Sequence, residues 1–253
     1  MNFVPRPKDY KALYGRSVAL YELGRYEEAL KATDEALEKK PNYQDALNSK
    51  AWILANTKRN EEALHFIEKA LKDKPENADA LDTKGFILYN MGNYKNASEL
   101  FNQAIVHNPN GKYILFHKGL VELKLKNYDE ALRLFEKFIE IDPKIAEIHD
   151  AKSSALSYKR DYESAIKEVK KAIELKPKLA SAHENLAKLI LLTSNERQSF
   201  WEFWSNTFTK KVFAFFMLFF AIALVIYPIF VSISNLMVNW KNTIIPYCEL
   251  QHQ

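Results

Sequence analysis

The chain has 253 residues, enough for one or two ordinary domains, and 47% of them are hydrophobic, which excludes gross disorder. Its 36 basic and 32 acidic residues leave a formal charge of +4, too near balance to imply nucleic acid as a partner. The single cysteine, Cys248, excludes an intramolecular disulfide, and no Cys/His pair at metal-ligand spacing surrounds it.

Residues 1–9 read as a lead-in. The first twenty residues hold no continuous apolar stretch of the kind a secretory signal needs, so targeting is expected to lie elsewhere in the chain. From Tyr10 onward the chain repeats. Pro41, Pro75, Pro109, Pro143 and Pro177 stand 34 residues apart without slippage, and proline ends a helix because it lacks the backbone donor. This register sets units at 10–43, 44–77, 78–111, 112–145 and 146–179, with a partial sixth from Ala180. Position 8 of the unit is always small: Ser17, Ala51, Gly85, Gly119, Ser153 and Ala187. Position 20 is Ala29, Ala63, Ala97, Ala131 and Ala165, and position 27 is Ala36, Ala70, Ala104, Phe138 and Ala172. Position 24 carries Ile67, Phe101, Phe135 and Val169, and position 17 is Tyr26, Tyr94, Tyr128 and Tyr162 with Asn60 in the second unit. Apolar residues recur at helical spacing in both halves, so each unit is two antiparallel helices whose small residues allow close approach.

These columns resemble the tetratricopeptide repeat, and the resemblance covers about residues 10–192. It implies an all-α, right-handed superhelical solenoid of antiparallel helix pairs. There are departures from the family pattern. Position 4 is Leu13, Leu47, Leu81 and Leu115, then His149 and His183. Position 7 is a column of cations, Arg16, Lys50, Lys84, Lys118 and Lys152. Their aliphatic stems are expected to pack, with the charges paired to acids such as Glu27, Glu28, Glu61, Glu62, Asp129 and Glu163; an anion track is the alternative. Phe138 at an alanine position predicts a wider spacing between the fourth and fifth units.

In the family, the first helix of each pair lines a groove through positions 2, 5, 9, 12 and 13. Carried over residue by residue, that groove displays Tyr14 and Tyr21 from the first unit and Asn48 and Trp52 from the second. The third supplies Asp79, Asp82, Phe86 and Tyr89, the fourth Tyr113 and Phe116, and the fifth Asp150 and Tyr158. Rings and short acids suit an extended peptide or a helix with apolar anchors and basic residues. One subset of the family grips the acidic tails of chaperones with a clamp of lysine, asparagine and arginine. The matching positions here read Tyr14, Val18, Ser49, Asp79 and Thr83, so binding of such a tail is not expected.

Residues 193–211 are a juxtamembrane segment with two readings. Ser199 and Phe203 match positions 20 and 24, as in a second helix of a sixth unit, while Phe200, Trp201, Trp204 and Phe208 would suit an interfacial helix. From Val212 to Val231, 20 residues run without charge and 14 are Leu, Ile, Val or Phe. As a helix this run spans about 30 Å, and the fourteen favour insertion by roughly 4–8 kcal/mol. The sequence therefore predicts a single transmembrane helix over 212–234, kinked at Pro228, with Trp201, Trp204 and Trp240 at the interfaces and a tail over 235–253. Lys210 and Lys211 before the span against Lys241 after it, together with the missing leader, place the repeats in the cytoplasm and the tail outside or in a lumen. The architecture is similar to that of tail-anchored adaptors of the family.

No Gly-rich phosphate loop, nucleophile elbow or metalloprotease helix is present, so no enzyme, metal or cofactor is expected. His149 and His183 share a register position but supply two ligands at most, and histidine standing in for a packing aromatic is the simpler reading. The functional expectation is a membrane-tethered scaffold that binds a protein or peptide. A structural subunit of a membrane complex and helical-repeat RNA binding are the other readings, the last disfavoured by the acidic groove positions.

Overall fold

The computed structural model describes residues 9–195 and, beyond them, residues 198, 199, 215, 218 and 234. Among the described residues there are helices and turns but no strand. Five helix pairs follow in order: α1 (Asp9–Glu22) with α2 (Tyr26–Lys39), α3 (Gln44–Asn56) with α4 (Asn60–Asp73), α5 (Ala78–Asn90) with α6 (Tyr94–His107), α7 (Lys112–Lys124) with α8 (Tyr128–Ile141), and α9 (Ala146–Tyr158) with α10 (Tyr162–Leu175). A further helical run, α11, covers 180–195. The chain divides into two compact units, Met1–Ile190 and Leu191–Gln253, and the helix pairs belong to the first.

Two turns per repeat set its length. Each second helix stops two residues before its proline, because the residue ahead of proline is pushed out of the helical region. Pro41, Pro75, Pro109 and Pro177 then sit second in turns closed by hydrogen bonds from Tyr43, Asn77, Gly111 and Leu179 to the carbonyls of Lys40, Lys74, Asn108 and Lys176. Within each pair the turn is a Schellman motif. The amides of Arg25, Arg59, Asn93, Asn127 and Asp161 reach back to the carbonyls of Leu20, Leu54, Leu88, Glu122 and Leu156 at 2.8–3.0 Å. The residue ahead of each donor is left-handed: Gly24 (φ 74°), Lys58 (62°), Gly92 (78°), Lys126 (65°) and Arg160 (64°).

Packing within a pair turns on positions 8 and 24, sixteen residues apart. They are matched in size. Phe101 and Phe135 lie against Gly85 and Gly119, Ile67 shares its core with Ala51, and Val169 and Ser153 are both fully buried. A Cβ on Gly85 would come within 2.8 Å of the Phe101 ring, and one on Gly119 would lie closer still to Phe135. In the first unit the match is polar. Thr33 donates its hydroxyl proton to the Ala29 carbonyl (2.8 Å), so Ser17 is the donor in the buried Ser17–Thr33 hydrogen bond of 2.5 Å.

The position 7 cations are ion-paired or hydrogen-bonded, but not to the acids named from sequence. Lys50 pairs with Asp34 (2.5 Å), Lys84 with Glu68 (3.1 Å), and Lys152 with Glu136 (3.3 Å) and Glu168 (3.2 Å). Lys118 is bonded to Asn102 and lies 4.0 Å from Glu130, while Arg16 lies 4.0 Å from Glu35. From Lys50 to Lys152 one partner always stands sixteen residues earlier, on the second helix of the preceding unit, so the column bridges units. Glu28, Glu62 and Asp129 are held elsewhere, by Arg25, Arg59 and Lys159.

Phe138 does not force its neighbours apart as expected. Its ring is 1% exposed, packs edge-on to Phe116 (6.1 Å) and Tyr113 (6.5 Å) of its own unit, and leaves α8 as well packed on α9 as the equivalent helices elsewhere. The sixth first helix also departs from its predecessors: where the five units turn, residues 193–195 are helical. The residues that a second helix of a sixth unit would use, 196–211, lie outside the described residues apart from 198 and 199. The interfacial reading of 200–208 and the predicted transmembrane helix over 212–234 lie outside the described residues apart from Phe215, Leu218 and Ser234; no helix among the described residues is long and apolar enough to cross a membrane.

Candidate functional site

The first helices α1, α3, α5, α7 and α9 each touch the next first helix in line, so they make a common face. Along α1, α3, α5 and α7 this face opens into a cleft of about 470 Å³. Seven of the groove residues read from sequence line it: Tyr14, Tyr21, Asn48, Trp52, Asp79, Asp82 and Tyr113. Val18, Glu22 and Asp45, at groove positions 9, 13 and 2 of the same register, line it too, and Gln44, Ser49, Asn77, Thr83 and His117 contribute from outside those positions.

Trp52 is the fixed point of the cleft. Its indole N–H donates to the Tyr21 hydroxyl (2.9 Å) and its ring packs on Phe86 (4.7 Å) and His117 (5.6 Å). His117 is 8% exposed, with Nδ1 2.9 Å and 3.1 Å from the two carboxylate oxygens of Asp82 and with Phe86, Phe101 and Phe116 around its ring at 5.1–6.1 Å. At the N-terminal end Tyr43 receives the rings of Tyr10 (4.8 Å) and Tyr14 (5.6 Å) edge-on, with the Lys40 ammonium over Tyr10 and Tyr43.

The cleft is electronegative. Glu22, Asp45, Asp79 and Asp82 line it, and among the described residues no lysine or arginine does. Burial, then the negative charges of Asp45 and Asp79, raise the Tyr14 hydroxyl above its ordinary pKa. Burial, followed by hydrogen bonding to Asp45, pushes Tyr43 up to about 12. Tyr21 is raised by burial against the opposing hydrogen bond from Trp52.

Several predicted groove residues have other surroundings. Asp82 and Asp150, expected on display, are each 8% exposed and hydrogen-bonded: Asp82 to His117, and Asp150 to Asn185 Nδ2 (2.6 Å). In both cases the partner stands 35 residues later, at position 6 of the next unit, so neighbouring first helices are pinned together. Phe86 and Phe116 are half-buried packing residues of the core, and Tyr89 is half-buried against Phe86 (6.3 Å) and Tyr94 (5.7 Å). Tyr158 is 58% exposed and stacks on Tyr128 (5.2 Å, 9°), beside a separate hollow of about 50 Å³ formed with Ser153, Ser154, Ser157, Asn185, Lys188 and Leu189. His149 and His183 each place Nε2 on the carbonyl of the proline six residues earlier, at 3.1 Å and 2.9 Å, and His149 Nδ1 meets Glu168 at 2.7 Å. Of the lining residues that the groove positions did not include, His117 is the one bonded to Asp82 and packed on Trp52. Its signal was an acid at position 5 followed 35 residues later by a donor at position 6.

The chain matches a family model described as the N-terminal ARM repeat of tetratricopeptide repeat protein 21 over residues 6–132, and the Iml2/tetratricopeptide repeat protein 39 model over residues 76–199. No curated protein matches the sequence. Among solved structures, the thermophilic TPR protein TTC0263 of Thermus thermophilus superposes with a TM-score of 0.65 at 21% identity, covering 72% of this chain and 99% of its own. PilF of Pseudomonas aeruginosa gives 0.59 at 21%, covering 81% and 100%. YrrB, described as a TPR protein with an unusual peptide-binding site, gives 0.51 at 26%, covering 68% and 89%.

Proposed function

Because the chain belongs to the tetratricopeptide repeat family, we propose that it is a protein-interaction scaffold whose first-helix groove holds an extended peptide or a helix of a partner protein. The observation that carries this reading is the cleft between α1, α3, α5 and α7, walled by rings and rimmed by carboxylates without a cation of its own. The peptide-binding site of YrrB, a structural neighbour, supports the same use of the fold. The partner presents apolar anchors and basic residues, because rings bury area at low entropic cost and the acids select charge. A chaperone tail, which ends in carboxylates, is excluded from the cleft by the same charges.

The scaffold is tethered to a membrane through residues 212–234. Support comes from the sequence: the uncharged run from Val212 to Val231, the tryptophans on both flanks, and the lysine pair Lys210 and Lys211 that favours a cytoplasmic repeat array. Two measurements test the reading. A photo-crosslinking residue at Val18 or Asp79 is expected to capture partner protein in cells, whereas one at Glu163 on a second helix is not; equal capture at all three would sink the groove. Leu218→Lys with Ile222→Lys costs several kcal/mol of insertion and is expected to move the full chain from the alkali-resistant membrane fraction into the soluble one. An unchanged distribution would remove the tether.

A further inference from the structure

We propose that the α1–α3–α5–α7 cleft is a pocket for a single arginine side chain of the bound partner, its guanidinium lying on the ring of Trp52 and its N–H groups directed at Asp45 and Asp79. The inference rests on the groove reading above and adds the chemistry of one subsite.

The first argument is unbalanced charge. Glu22, Asp45 and Asp79 enter no ion pair among the described residues, whereas Asp82 is taken by His117. Asp45 meets the Tyr43 hydroxyl, but among the described residues no lysine or arginine lines the cleft to neutralise Glu22, Asp45 or Asp79, whereas acids such as Asp34, Glu68, Glu136 and Glu168 are each paired with a lysine. The second argument is an orphan acceptor. Asn48 lines the same cleft, and its Oδ1 is buried without a hydrogen-bond partner. A buried acceptor left unmade costs free energy, and turning the Asn48 side chain towards the cleft lets an incoming N–H recover it. The fully charged groups that line the cleft are all carboxylates, which suits a ligand that only donates.

The third argument is shape. Trp52 is held at its edge by the hydrogen bond from Nε1–H to Tyr21 and packed by Phe86 at 4.7 Å, so its ring is a fixed platform. A planar guanidinium stacks on such a face while its five N–H groups fan towards acceptors at the rim; an ammonium is a strongly hydrated point charge that gains less from the ring. The volume of about 470 Å³ exceeds what one side chain needs, leaving room for the flanking peptide. The raised pKa of Tyr14, pushed further by Asp45 and Asp79, reports the same negative potential.

The test uses the full chain in detergent, labelled with 5-fluorotryptophan, with the Trp52 fluorine resonance assigned by Trp52→Phe. Nα-acetyl-arginine methylamide is expected to shift that resonance saturably, with the citrulline counterpart at least about tenfold weaker. Asp45→Asn with Asp79→Asn is expected to lose about tenfold in affinity while keeping its unfolding transition, and Glu163→Gln, outside the cleft, to lose nothing. Equal affinity for the citrulline or lysine counterpart, or unchanged affinity in the double variant, overturns the arginine pocket. A short leucine- and phenylalanine-containing peptide with a central arginine, and its citrulline twin, separate the two readings. If both twins shift Trp52 with equal affinity, the groove stands and the arginine pocket falls; if neither does, both fall.

Discussion

Gly119 carries no side chain because the ring of Phe135 occupies the space a Cβ would need, and Phe135 is fully buried and cannot move aside. Alanine in a helix interior is ordinarily better than glycine by about 1 kcal/mol. Here Gly119→Ala is expected to lose about 1–3 kcal/mol through overpacking, with Phe135→Leu restoring part of it in the double variant. Gly15→Ala in α1, where nothing lies within 4 Å, is expected to gain about 0.5–1 kcal/mol. Urea midpoints of the three variants decide it. Glu168 gives a pH signature at the same scale. The hydrogen bond from His149, opposed by burial and helped by Lys152, lowers its carboxyl to about 2 from an ordinary 4.5. A carboxylate depressed by folding stabilises fully above its unfolded pKa and loses that contribution as pH falls. The array should therefore weaken between about pH 4.5 and pH 2, by roughly 3 kcal/mol from this group. Glu168→Gln is expected to flatten that part of the urea-midpoint profile and to lower stability at neutral pH.

At the scale of the element, the five intra-pair turns have one geometry and two kinds of residue. Gly24 and Gly92 adopt the left-handed conformation without strain, whereas Lys58, Lys126 and Arg160 hold it against their Cβ atoms. The hydrogen bonds of the Schellman motif impose it on all five. Replacing Lys58, Lys126 or Arg160 with glycine is expected to stabilise by about 0.5–1 kcal/mol each, and Gly24→Ala or Gly92→Ala to cost about 1 kcal/mol. Calorimetric unfolding of the single variants checks the sign. The reverse order would mean that lost chain entropy outweighs backbone strain at these turns.

Across the array of helix pairs, every helix of α1–α10 touches only its own partner, the adjoining pair and, for first helices, the next first helix. Stability is then a sum of unit terms and junction terms rather than one indivisible core. The junctions are reinforced twice, by the lysine column on one side and by the His117–Asp82 and Asn185–Asp150 bonds on the first-helix face. A charge buried at the first pair by Ala29→Asp is expected to expose the amides of α1 and α2 to hydrogen exchange while α7–α10 keep their protection. Phe135→Ala in the fourth pair should instead lower protection on both sides of it. Uniform loss of protection from Ala29→Asp would show that the array unfolds as one block.

The sequence by itself determined the unit length, the helix ends and the face each helix buries, because proline, the small residues of position 8 and the alanines of position 20 act through local backbone geometry and helical period. It also held the aromatic and acidic character of the groove, since that follows from register alone. Only the tertiary structure decided which acids the lysine column meets, that Asp82 and Asp150 are buried pins rather than displayed charges, and that His117 stands beside Trp52 in the cleft. Those outcomes depend on side chains sixteen, 35 or 65 residues apart meeting across junctions, a distance set by how one pair seats on the next and not by any pattern within a pair.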